Sequence, residues 1–266
     1  MTIRRKIMVN GSIDLDFFNE NGFFIIKNAI TEDKINAYLD LWNRENADNP
    51  SGWSNIGGSA AAYLEYSEIL DILCDPSIAN AFDVAEKSVA LHADITYSVT
   101  TELEWHQDNC MPNEIAGSNY MGVWVALENV DEDAGPFEFV PGSHNWDMDY
   151  NLLYETAVKG RENPDLNDKR IKYYQDQINT RSAKVEKLLI EKGDAFIWHG
   201  RLMHRGSPAV DRSKTRMSLI GHYCNNYANL EEVRNPSFDF QKKEMFEETS
   251  RYASWGENGA FYFVNP

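Results

Sequence analysis

A mainly β fold with flanking helices, closed as a sandwich or barrel, is what this 266-residue sequence predicts, and three observations carry it. From residue 89 onward the chain breaks into short β-rich pieces at 89–97, 103–108, 120–127, 137–140, 185–190, 195–198 and 215–223, each bounded by turn residues. Several short strands at irregular spacing suit a sandwich or barrel. Helical periodicity, by contrast, is concentrated before residue 89. Finally, 42% apolar and 25% charged residues make an ordinary globular composition, with a chain long enough to bury a sizeable core. No linker and no internal repeat interrupts it, so residues 1–266 read as one domain, with a helical or loop insertion at about 145–183.

The elements follow in order. The run Asp16 to Ile26 reads as a short helix, an Asn21-Gly22 turn and a buried strand of aromatic and β-branched residues. Thr31 is a helix N-cap with Glu32 and Asp33 in the first turn, and Ile35, Leu39 and Leu41-Trp42 give an apolar stripe to about Glu45. Residues 46–62 read as loop. Pro76 opens a second helix that sets Ile78, Phe82 and Ala85 on one face. Residues 145–183 are polar, and 159–187 holds eight Lys and Arg against five Asp and Glu, the opposite balance to the whole chain. That stretch reads either as a solvated charged face or as a cover over one end of the barrel. The tail beyond Asn225 is aromatic-rich, with Phe238, Phe240, Phe246, Tyr252, Trp255 and Phe261-Tyr262-Phe263 read as core, lid or subunit contact.

Charge limits the partners. With 25 Lys and Arg against 42 Asp and Glu, the formal charge is −17, which repels nucleic acid and anionic membranes; a small-molecule substrate is the expected partner, although the charge neither favours nor excludes a protein chain. Three cysteines, Cys74, Cys110 and Cys224, without paired spacing favour a reducing, cytoplasmic setting. No stretch approaches the ~20 apolar residues of a membrane span.

The chemistry centres on Trp105-His106-Gln107-Asp108. On a strand, residues two apart share a face, so His106 and Asp108 would present an imidazole and a carboxylate side by side. A histidine from a neighbouring strand would complete a two-His, one-carboxylate face of the kind that suits ferrous iron and leaves positions open. His204 is the candidate, with His199 and His222 as alternatives. His92-Ala93-Asp94 repeats the His-x-Asp spacing on another predicted strand, so spacing alone does not choose between the triplets. Arg216 and Ser218 share a strand face and suit a carboxylate held by a bidentate guanidinium and a hydroxyl. A divalent iron, Asp108, a 2-oxo dicarboxylate and Arg216 carry charges that cancel, so the set can be buried together. Cys110 faces the metal or is an inert buried thiol. Trp124 is a core residue or a co-substrate contact, and His144 closes a Pro-Gly-Ser-His turn.

Ordered along the chain, Asn21-Gly22-Phe23, Leu91-His92, Trp105-His106-Gln107-Asp108, Val123-Trp124-Val125-Ala126-Leu127, Gly135-Pro136-Phe137, Pro141-Gly142-Ser143-His144, Gly193-Asp194 and His199 through His204 resemble the phytanoyl-CoA dioxygenase-like family of iron(II)- and 2-oxoglutarate-dependent oxygenases. The resemblance spans about residues 16–223. It implies a double-stranded β-helix, an eight-stranded antiparallel jelly-roll or cupin-like barrel with the metal at its mouth. It selects His106, Asp108 and His204 as metal ligands and catalytic residues, and gives the cavity wall to His92 and Asp94. Arg216 and Ser218 fall where the family holds the far carboxylate of 2-oxoglutarate, and Trp124 falls beside that co-substrate. Many relatives carry a lysine where this chain has Ser98, with Thr96 or Tyr97 as replacements. The implied cofactors are Fe(II), 2-oxoglutarate and O2. The implied reaction is hydroxylation, or another oxidation, of an unactivated C–H bond with release of succinate and CO2. Asp108 argues against halogenation, which needs a small residue there. The competing reading is a binding protein of the same barrel fold, non-catalytic or cupin-like.

Overall fold

The computed structural model describes residues 14–47, 62–85, 89–98, 100–110, 120–159, 163–225, 252–255 and 261–264, the last two stretches by backbone alone. Asp14 caps α1 (Leu15–Asn21) by accepting the Phe17 N–H. Gly22 ends the helix with φ +81°, and a Cβ there would lie 2.4 Å from His144 Nδ1, so both backbone and packing require glycine. The chain turns at once into β1 (Phe23–Ile26). Helices α2 (Glu32–Glu45), α3 (Ser67–Leu73) and α4 (Pro76–Val84) follow, the last capped by the Asp75 carboxylate with Pro76 at its first position. Thr31 precedes α2 without a side-chain cap bond, and α3 has no counterpart in the sequence expectation. Most of the expected 46–62 loop lies outside the described residues.

The strands are β2 (Val89–Tyr97), β3 (Tyr120–Ala126), β4 (Phe137–Phe139), β5 (Glu186–Lys187), β6 (Ala195–His199), β7 (His204–Gly206), β8 (Ser218–Asn225), β9 (Tyr252–Trp255) and β10 (Phe261–Val264). They form an antiparallel seven-stranded sheet, β1-β6-β3-β8-β2-β9-β10, and a three-stranded sheet, β5-β4-β7. This is the expected sheet-rich core with flanking helices. Among the described residues the two sheets do not hydrogen-bond into a closed barrel, and ten strands replace the expected eight. Three strand expectations are corrected. Residues 103–108 form no regular strand: among the described residues, the backbone of this partly exposed stretch bonds to β7 only through the Leu103 N–H to the Gly206 carbonyl and the bridge at His106. The 185–190 strand shrinks to two residues, and β8 starts at Ser218, leaving Arg216 just ahead of it. The tail aromatics up to residue 251 lie outside the described residues.

Alternation splits the main sheet into two dry faces. Met121, Val123, Val125, Ala195, Ile197, Leu219 and Tyr223 pack under α1 to α4. Trp124, Ala126, Phe196, Trp198 and Ile220 point the other way, onto Phe137 and Phe139 of the small sheet. In the 145–183 stretch, α5 (Tyr150–Lys159) and α6 (Pro164–Thr180) pack Leu153, Ala157, Tyr174 and Ile178 against Trp105, Cys110 and Met203. No described helix is long and apolar enough to cross a membrane.

On the helix side of β2, Asp94 is fully buried. One carboxylate oxygen accepts the Tyr63 N–H at 3.0 Å, and the other has no hydrogen-bond partner. Burial outweighs the backbone donors and pushes this carboxyl up to about 7. The folded state therefore binds a proton below pH ~7 that the unfolded chain takes up only near ~3.9, so Asp94 adds stability as pH falls through that window. Relative to Asp94→Asn, the wild type should gain about 2 kcal/mol of unfolding free energy between pH 8 and pH 5.5. Urea titrations at the two pH values measure this; an unchanged difference would place the ionised form in the native state throughout.

Candidate metal centre and its cavity

His106 and His204 are brought together by backbone, not by a shared strand. Each donates its N–H to the other's carbonyl at 3.0 Å, forming a bridge between the 101–110 segment and β7. Directly opposed antiparallel residues project to one side, which sets the two imidazole centroids 4.2 Å apart. The His106 Nδ1 lies 2.7 Å from the Glu104 carbonyl and the His204 Nδ1 2.9 Å from the Leu202 carbonyl. A carbonyl only accepts, so each Nδ1 carries a proton, and in the neutral ring Nε2 then keeps the lone pair. Both Nε2 atoms face the same Asp108 oxygen, Oδ1, at 3.8 and 3.5 Å. One atom from each of the three side chains lies within 4.8 Å of the others, a group that can hold a metal ion. The orphaned lone pairs and the mixed N/O donor set fit divalent iron, which takes imidazole and carboxylate together.

The second Asp108 oxygen is already engaged. The Trp198 indole N–H donates to Oδ2 at 2.8 Å, and His222 Nδ1 stands 3.9 Å away. Burial alone would raise the Asp108 carboxyl, but His204, His222 and His106 around it hold it well below the usual carboxylate range. His106 is also lowered, but for it this favours the neutral form: burial in the cavity wall and the neighbouring His204 bring it to about 4, so it is neutral at physiological pH. Phe137 stacks on the His204 ring, centroids 4.9 Å apart, fixing its plane. Trp198 is itself fixed by Gly122 of β3, where a Cβ would meet the indole at 2.1 Å. Trp198→Phe keeps the ring but leaves Oδ2 without its donor. Mn(II) affinity, followed by titration calorimetry, should fall about 10- to 100-fold; unchanged affinity would make the bond incidental.

The site opens into a cavity of about 500 Å³ lined by Ile95, Tyr97, Trp124, Phe137, Trp198 and Ile220, among others. Arg216 stands in its wall, only 4% exposed. Its Nη2 donates to the Thr101 carbonyl at 3.2 Å, while Nε and Nη1 have no partner among the described residues. Burial lowers this guanidinium to about 10, so it stays charged at neutral pH. Tyr97 lines the same cavity, its phenol raised by burial and by Asp108 and restrained by Arg216.

The other expected residues divide. Trp124 lines the cavity and also belongs to the core. Ser218 is buried with an unpartnered hydroxyl, but it is not in the cavity wall. Thr96 is corrected: it shares the helix-side face of β2 with Asp94, and its hydroxyl is bound to Tyr38 of α2. Period-two alternation therefore gives the cavity to Tyr97. His199 is off the site; its Nδ1 accepts the Arg201 N–H at 3.1 Å, and its ring lies against His144 and Phe18. His222 does line the cavity, beside Asp108. Cys110 is a buried free thiol in the wall, and the His92 side chain lies outside what is described. Sequence reasoning missed Trp198, whose bond to Asp108 crosses 90 positions, and the α6 residues Asn167 and Arg170.

A two-histidine, one-carboxylate cluster between antiparallel sheets, with a buried arginine in the same cavity, defines a jelly-roll protein of the non-haem oxygenase type. The chain belongs to the phytanoyl-CoA dioxygenase (PhyH) family, whose model matches residues 18–217, and is thereby an oxygenase-type enzyme. It is 21% identical to the peroxisomal phytanoyl-CoA dioxygenase of Bos taurus over 86% of this chain and 73% of that one. In fold it is similar to the non-haem alpha-ketoglutarate-dependent carbocyclase SnoK from nogalamycin biosynthesis, at TM-score 0.61 and 16% identity over 94% and 95% of the two chains. It is likewise similar to the epimerase SnoN in complex with Fe3+, alpha-ketoglutarate and nogalamycin RO, at TM-score 0.59 and 18% identity over 79% and 82%.

Proposed function

We propose that this protein is an iron(II)- and 2-oxoglutarate-dependent dioxygenase that hydroxylates an unactivated C–H bond of a small molecule, releasing succinate and CO2. The observation that carries the reading is a pair. Two Nε2 lone pairs and one carboxylate oxygen converge at one point, and a buried guanidinium with two unpartnered nitrogens stands in the same cavity. Each half lacks a partner of the sign the other ligand supplies: a cation for the first, a carboxylate for the second.

In this reading His106, Asp108 and His204 hold Fe(II), and Arg216 holds the distal carboxylate of 2-oxoglutarate with Tyr97 beside it. Trp124 forms part of the wall along the co-substrate. Iron and 2-oxoglutarate, when bound, supply the activation of O2. The chain's own work is arrangement. The Glu104 and Leu202 carbonyls fix both imidazole tautomers, Trp198 leaves Asp108 one free oxygen, and the rings of Trp124, Phe137 and Trp198 keep bulk water from the reacting atoms. Cys74 and Cys110 are free thiols, which supports a reducing compartment such as the cytoplasm.

The test is twofold. Anaerobic addition of Fe(II) and 2-oxoglutarate should give a weak visible charge-transfer band, and admission of air should give iron-dependent succinate. Absence of both with metal bound would leave a binding protein of the same fold.

A further inference from the structure

Helix α6 places Asn167, Arg170, Ile171 and Tyr174 on the cavity. These positions are i, i+3, i+4 and i+7, one continuous helical stripe lining the same cavity as the metal cluster. Arg170 donates to Asn167 Oδ1 at 2.8 Å and makes no ion pair among the described residues. Arg170, His106 and Cys110 line the same cavity, which puts the guanidinium in the space that the metal cluster faces. The acids nearby do not neutralise it. Asp108 is enclosed by the histidines and Trp198, Glu102 pairs with Arg212 at 3.4 Å, and Glu104, which also lines the cavity, is solvent-exposed, where its charge is screened. A guanidinium only donates, so Asn167 turns its oxygen to Arg170 and keeps its NH2 as a further donor toward the cavity.

Iron, Asp108, 2-oxoglutarate and Arg216 already balance to neutrality. Arg170, half-buried in the cavity wall, is the charge left over, and it favours a guest that brings one negative charge. Resting on the oxygenase reading above, we infer that the primary substrate carries a carboxylate, received by Arg170 and the Asn167 amide. The body of that substrate is apolar and lies along Trp105, Ile171 and Tyr174. The guanidinium fork matches a carboxylate in two-point geometry. The α6 stripe thereby sets the end of the substrate, and so the carbon presented to the metal.

Titration calorimetry on the Mn(II)- and 2-oxoglutarate-loaded protein tests this with hexanoate, hexanamide and hexyl phosphate as probes. Hexanoate should bind wild type about tenfold or more tightly than hexanamide, the margin of a charge-assisted hydrogen-bond pair. Arg170→Gln should erase that preference while binding 2-oxoglutarate as wild type does, which also shows that the variant is folded. A wild-type protein that does not distinguish acid from amide would overturn the assignment, as would a preference that survives Arg170→Gln. Tighter binding of hexyl phosphate than of hexanoate would overturn the carboxylate. Loss of 2-oxoglutarate binding in Arg170→Gln would move Arg170 to the co-substrate and end the proposal. If wild type binds neither Mn(II) nor 2-oxoglutarate, yet the metal-free protein prefers hexanoate through Arg170, the oxygenase reading fails and the anion site stands.

Discussion

Asp108→Ala and His204→Ala should each lower Fe(II) affinity by more than about a hundredfold, beyond the cost of losing a supporting group, and with it abolish iron-dependent succinate release. The reason is geometric. Asp108 Oδ1 faces both Nε2 atoms at once, so its removal takes the only described carboxylate from the cluster and leaves two imidazoles with no anion to balance a dication. His204 sits at the centre of the same arrangement, stacked on Phe137 and bridged to His106. His204→Ala should keep its backbone bridge, and therefore the fold, while losing the ligand. Mn(II) titration and succinate assays on the two variants provide the measurement. His222→Ala serves as contrast: His222 stands on the far side of Asp108, by Oδ2, so its loss should weaken metal binding far less. Wild-type turnover in Asp108→Ala would remove the cluster from the reaction altogether.

How much of this was legible follows from how local each interaction is. His106 and Asp108 are two apart, and their shared orientation needs only an extended backbone, so it survives although 103–108 is no true strand. The alternating pattern that suggested a strand is the same in an extended segment that pairs at a single bridge. His204 was reachable because it follows the β6 strand by a short turn. Thr96 and Tyr97 were both offered in place of the lysine that relatives carry where this chain has Ser98, and only the alternation of β2 separates them. Asp94 and Thr96 face the helices; Ile95 and Tyr97 face the cavity. Trp198 was unreadable as a partner of Asp108, because that contact is set by how the 105–110 loop lies over β6. The basic stretch at 159–187 was visible as composition, but its meaning needed the register of α6. That register turns Arg170 inward while Lys172 pairs with Asp176 in solvent.

Arg216→Met should have two opposite effects, and their opposition is what makes it informative. Without ligands the variant should be more stable than wild type, by roughly 1–2 kcal/mol, because a desolvated guanidinium with two unpartnered nitrogens is exchanged for an apolar chain of similar length. The lost bond to the Thr101 carbonyl offsets part of that gain. Toward 2-oxoglutarate the sign reverses. Truncating one side of a buried charge pair costs about 2–5 kcal/mol, so KM for 2-oxoglutarate should rise on the order of a hundredfold or more. Thermal melts with Mn(II) bound separate the two effects. Saturating 2-oxoglutarate at about 100 times its Kd should stabilise wild type by about 2.7 kcal/mol and Arg216→Met by no more than about 0.4 kcal/mol. A variant that is destabilised without ligands, yet shifts with 2-oxoglutarate as wild type does, would make Arg216 a structural arginine and send the co-substrate's far carboxylate elsewhere in the cavity.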